Sequence, residues 1–187
     1  MKVFYTASYY GKEKYQKYYD KVLSAIEETK VDLISPEKGN YMNILKPHDK
    51  DKIKDKLLLH YKAIKQGILW SDAVIIEISN EDFQLGHEAT LAIQNKKPVL
   101  CLSIHEDFGK KIKSRFFFGS KYNQYNIKFI VQEFINRVRK GVLTERFNFF
   151  LSPAQLQHLK ISSQKTGITK SEYLRSLIEK DLMLQKH

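Results

Sequence analysis

The stretch from Ser71 to Leu102 limits the fold of this chain more than any other. Ala73 to Ile78 is an apolar run of strand length rich in β-branched residues, and Pro98 to Leu102 is a second. Near-continuous runs of this kind suit strands buried on both faces, as in a parallel sheet. Between them, Leu85, Ala89, Ala92 and Ile93 recur at helical spacing. Strand, loop, helix and strand in that order make a right-handed βαβ crossover. Open sheets built from such units carry their chemistry at the carboxyl ends of the strands. The loop at that end holds Glu81, Asp82, Gly86, His87 and Glu88. Glu88 then reads either as a functional carboxylate at the strand end or as a first-turn acid favoured by the helix dipole, whose positive end keeps it ionised.

The same alternation extends to both sides. Lys2 to Ser8 reads as a first strand, and Tyr9, Tyr10 and Gly11 as a turn. A helix to about Glu28 places Tyr15, Tyr18, Tyr19, Val22, Leu23 and Ile26 on one stripe. Val31 to Ile34 is a second strand, Ser35 to Asp49 a polar loop, and Asp51 to Trp70 one long helix. Phe116 to Phe118 supplies a fifth strand, and Ile127 to Lys140 a last helix. Five such units predict an α/β fold, a flavodoxin-like three-layer parallel sheet of order 2-1-3-4-5, over residues 1–140.

Composition narrows the setting. Hydrophobic residues make up 42% of the 187, enough for one good core plus an appendage. No apolar run reaches membrane-spanning length, so no membrane partner is expected. The beginning reads as a strand and not as a secretory signal, and the one cysteine, Cys101, lies in an apolar strand where it has no disulfide partner. A cytoplasmic location is expected. No metal and no cofactor are expected either. A net charge of +11 suggests an anionic partner, but the charge is spread along the chain and does not single out a nucleic-acid domain.

Beyond a hinge at Gly141 to Leu143 the pattern changes, and residues 141–187 read as a separate module. Arg146 to Leu151 alternates, with Phe147, Phe149 and Leu151 on one side and Arg146, Asn148 and Phe150 on the other. Ser152-Pro153-Ala154-Gln155 and Thr169-Lys170-Ser171-Glu172 are capping boxes, separated by a helix that Gly167 stops. Tyr173, Leu174, Leu177, Ile178 and Leu182 stripe the second helix. Strand, helix, turn and helix in this order resemble a ribbon-helix-helix module. That resemblance implies a homodimer or higher oligomer made by pairing strands. It also implies a DNA interface, with Arg146, Asn148 and Phe150 facing bases and Thr169, Lys170 and Ser171 clamping phosphate.

The first 130 residues carry a second resemblance. Asp72, the Val74 to Ile78 run, Gly86, Glu88 and the helix leading to Lys97-Pro98-Val99-Leu100 resemble the nucleoside 2-deoxyribosyltransferase family, which includes 5′-monophosphate N-glycoside hydrolases. The resemblance implies N-glycosidic cleavage or transfer on a (deoxy)nucleoside or nucleotide. Glu88 would attack C1′ and form a glycosyl-enzyme, which water or a second base resolves. Asp82 would orient the sugar and repel a 5′-phosphate. Ser8 would hydrogen-bond the sugar, Phe4 or Tyr5 would wall the pocket, and Tyr9, Gly11 and Gly86 would complete the substrate loops. Ser114 and Phe116 match positions that reach a neighbouring subunit's site. Gln84 replaces the first glycine of the family's loop, and Ile64 stands where the family has a base-side aspartate. The alternative is therefore a DNA-binding transcriptional regulator whose sheet domain senses a nucleoside or nucleotide without catalysis.

Overall fold

The computed structural model describes residues 1–141 and 148–185. The chain divides into two compact units, Met1–Val142 and Leu143–His187.

The first unit is a five-stranded sheet of order β2-β1-β3-β4-β5, every neighbouring pair parallel. Its strands are β1 (Lys2–Ala7), β2 (Asp32–Ile34), β3 (Ala73–Glu77), β4 (Val99–Ser103) and β5 (Phe117–Lys121). The β-branched run forms β3, buried at every position because helices cover both of its faces. Successive side chains in a strand point to opposite faces, so two cores form. Val3, Tyr5 and Ala7 of β1 pack with Tyr19, Val22 and Ile26 of helix α1 (Lys12–Glu27) and with Val131, Phe134 and Ile135 of helix α5 (Ile127–Gly141). Phe4 packs on the other side with Ile64 and Ile68 of helix α3 (Lys56–Trp70) and Leu85 and Ala92 of helix α4 (Phe83–Gln94).

Two expectations need correction. The long helix from Asp51 to Trp70 is two helices, α2 (Pro47–Lys52) and α3. The break lies at Asp55, whose carboxylate accepts from the N–H groups of Leu57 and Leu58 at 2.8 and 3.3 Å and so starts α3 afresh. Leu57 and Leu58 are consequently exposed, and the buried stripe of α3 is Ala63, Ile64, Gly67 and Ile68. Gly67 is required there, since a Cβ would lie 2.4 Å from the Phe4 ring. The second correction concerns the loop after β3. Asp82 caps α4, so Gly86, His87 and Glu88 lie inside the helix and not in a loop.

The second unit contains helices α6 (Pro153–Thr166) and α7 (Lys170–Leu184). Both capping boxes form, through Ser152 with Gln155 and Thr169 with Glu172. Gly167 takes the left-handed conformation at φ 67° that ends α6. Arg146 and Phe147 of the expected ribbon fall outside the described residues, and Asn148 to Leu151 are neither helix nor strand.

Candidate functional site

The carboxyl ends of β1 and β3 and the first turns of α4 bring a chain of polar groups together. Ser8 follows β1 and is buried. Its hydroxyl donates to Asp82 Oδ2 at 2.9 Å and accepts from Asn80 Nδ2 at 3.0 Å. Asp82 Oδ1 accepts from the Gln84 N–H at 2.9 Å. Asp82 thus does two jobs: it starts the helix that carries Glu88 and it ties that helix to β1. Gly11 closes the arrangement, because a Cβ there would meet the Tyr19 hydroxyl at 2.3 Å and Asn80 Cβ at 2.6 Å.

Glu88 sits one turn further on and is 2% exposed. Its Oε1 accepts from Gln84 Nε2 at 3.0 Å, while Oε2 is buried without a hydrogen-bond partner. Burial pushes its pKa up to about 7; the Gln84 amide and the Thr6 hydroxyl oppose the rise, and the Asp82 charge adds to it. This corrects the expectation of a dipole-stabilised carboxylate. Glu88 is the sixth residue of α4, and the helix field fades within the first turn. Desolvation decides its charge instead.

Gln84 continues the chain outward. Its Nε2 also lies 3.3 Å from His60 Nε2, and His60 Nδ1 lies 3.0 Å from the Tyr41 hydroxyl. A Gln amide nitrogen only donates, so His60 Nε2 accepts and Nδ1 carries the hydrogen. Burial lowers the His60 pKa, which favours that neutral form. A continuous hydrogen-bonded path therefore runs from Tyr41 through His60 and Gln84 to Glu88. Ile64, where the sequence resemblance implied an acid, is buried among apolar neighbours one turn after His60.

The remaining sequence-derived residues scatter. Phe4 is buried on the Glu88 side of the sheet, but Tyr5 faces the α1–α5 side, where its hydroxyl donates to the Tyr19 carbonyl at 3.1 Å. Tyr9 is exposed after β1, and Gly86 has open space where a side chain would go. Ser114 and Phe116 precede β5 and so lie at the amino edge of the sheet, opposite Glu88. His60, Gln84, Asn80 and Tyr41 were not singled out as site residues. His60 and Ile64 are four apart on one helix, and that spacing was the available signal.

Glu77 was also missed. It ends β3, is fully buried, and accepts from the Tyr122 hydroxyl at 2.9 Å and from the Ser79 N–H at 3.2 Å, with the Ser79 hydroxyl also on Oε1. Burial raises its pKa, against those hydrogen bonds. A single acid inside an apolar run was its sequence signature.

In the second unit, Asn148 and Phe150 are exposed. Arg146 lies outside the described residues. Lys170 and Ser171 are exposed at the start of α7, but the Thr169 hydroxyl is engaged: it donates to Glu172 Oε2 at 2.9 Å and accepts from the Glu172 N–H at 3.2 Å. The Glu172 carboxylate also accepts from the Thr169 N–H at 2.9 Å. Among the described residues no group of His, Cys, Asp and Glu is placed to hold a metal ion, and no helix is long and apolar enough to cross a membrane.

Comparison with known families finds a ribbon-helix-helix domain at residues 144–182. No curated protein matches the chain.

Proposed function

We propose that the protein is a DNA-binding regulator that dimerises through residues 141–187 and whose sheet domain binds a small ligand at the Glu88 edge. The ribbon-helix-helix match over residues 144–182 carries this reading. The exposed apolar surface of the second unit supports it. Leu156, Leu177, Ile178 and Leu182 are 42–61% exposed, an apolar surface that a second copy would cover. Arg146, Asn148 and Phe150 would face the DNA bases. Lys170, Ser171 and the first N–H groups of α7 would hold phosphate, and Glu172 would have to be outweighed there by the surrounding lysines. Fluorescence anisotropy with labelled genomic duplexes tests this. Affinity should fall steeply with salt, Lys170→Ala should weaken all sequences alike, and Asn148→Ala should change preference. No binding at low salt would leave the tail as a dimerisation device alone.

At the sheet edge, the ligand class is a nucleoside or nucleotide. The support is a buried Glu88 oxygen without a partner beside Ser8 and Asp82, a set able to receive sugar hydroxyls. The same oxygen favours a second reading, N-glycosidic cleavage or transfer with Glu88 as nucleophile and Asp82 orienting the sugar. Nucleosides and monophosphates incubated with the protein, with free base followed by chromatography, separate the two. Base release abolished by Glu88→Gln supports the enzyme; binding without release supports the sensor.

A further inference from the structure

A cavity of about 720 Å³ opens between α1 and the loop that joins β5 to α5. Tyr122, on its floor, belongs to the core on the α1–α5 side of the sheet, away from Glu88. Three of its lining residues are Lys17, Lys21 and Lys121, and no lining residue among the described ones is acidic. Lys17 and Lys21 stand one turn apart on α1, and Lys121 ends β5. Elsewhere Lys12, Lys38, Lys62, Lys111 and Lys128 each meet a carboxylate within 3.0 Å. The three cavity lysines meet none among the described residues: Lys21 donates to Gln124 Oε1 at 3.1 Å, and Lys17 lies 5.1 Å over the Tyr18 ring. Ammonium groups converging on one concavity without a counter-charge create a positive potential that an anion relieves. Glu77 lies beneath Tyr122, but it is fully buried and hydrogen-bonded inward.

The opposite wall is already shaped. Asn126 Oδ1 accepts from the Asn123 N–H at 2.7 Å, and Asn123 Oδ1 accepts from the N–H groups of Tyr125 and Asn126 at 2.8 and 3.2 Å. The loop therefore holds its conformation by its own bonds. At its rim Tyr125 is 86% exposed, a flat apolar face next to a cationic hollow. The volume falls in the usual range for small-molecule sites.

We propose that this cavity binds a phosphorylated small molecule with a planar ring, of nucleotide chemistry, its phosphates on Lys17, Lys21 and Lys121 and its ring against Tyr125. Ammonium groups suit phosphate as mobile point charges, and a planar ring gains from offset stacking on a tyrosine. Isothermal titration of the full chain with ATP, GTP and inorganic tripolyphosphate at low salt tests it. One of the nucleotides should bind more tightly than tripolyphosphate. Lys17→Glu, Lys21→Glu and Lys121→Glu should each weaken binding tenfold or more, with unchanged circular dichroism. Tyr125→Ala should remove the advantage of the nucleotide, and Lys65→Glu, at an exposed position of α3, should change nothing. Absence of binding overturns the proposal, as does equal weakening by Lys65→Glu. Loss on Glu88→Gln with the lysine variants unaffected would move the ligand to the other face and overturn it too. A duplex that competes with ATP and is itself lost in the lysine variants would make the cavity a DNA contact, again overturning it.

Discussion

Glu88 holds its carboxyl group where water does not reach, and that has a measurable cost. Unfolded, the group loses its proton near its ordinary value of 4.5; folded, it does so near 7 because burial disfavours the charge. Between those values the folded chain binds the extra proton, so the contribution of this group is fullest below pH 4.5 and is lost as pH rises through 7. The loss amounts to at most about 3 kcal/mol. Glu88→Gln should flatten that part of the pH dependence in urea denaturation between pH 5 and 8, leaving the smaller slope that Glu77 contributes in the same direction. An unchanged slope would show that Glu88 titrates normally. Sequence spacing put Glu88 and Asp82 at the carboxyl edge of the sheet, and the resemblance added Ser8 and Gly11. It did not reveal the charge state of Glu88, because that depends on how deeply α4 lies against the sheet. Nor did it reveal His60, which reaches Glu88 only through the side chain of Gln84.

At the level of elements, the α3–β1 contact is one of close packing near the site. Gly67 lets the Phe4 ring lie directly on the helix backbone. Gly67→Ala puts a methyl group 2.4 Å from that ring, and the buried ring or the helix has to give way. The expected loss is about 1–3 kcal/mol, read as a lower midpoint in thermal denaturation. His60 should shift with the helix and loosen its bond to Gln84. Sheet order, both capping boxes and most helix stripes were legible because each depends on local spacing or on a single punctuating residue. The split of α2 from α3 was not. Asp55 was not read as a cap, because the apolar residues after it continued the helical pattern and hid the break.

For the molecule as a whole, the second unit decides how copies associate. Ile178 is 61% exposed within one chain, so Ile178→Asp should leave the fold intact. Placed in a dimer interface, the same charge would be desolvated without a partner. Light scattering should therefore give a dimer for the native chain and a monomer for the variant; a native monomer would remove the proposed pairing. The sheet unit offers an optical record of its own integrity. Of 11 tyrosines, four have their ionisation pushed up: Tyr5, Tyr19 and Tyr122 first by burial and then by the nearby Glu77, and Tyr41 by burial against the Lys12 charge. In an alkaline ultraviolet titration Tyr5, Tyr19 and Tyr122, the three beside Glu77, stay dark longest. Their absorbance arrives only as the sheet comes apart, so the late step in such a curve is a clock for unfolding, not a proton count.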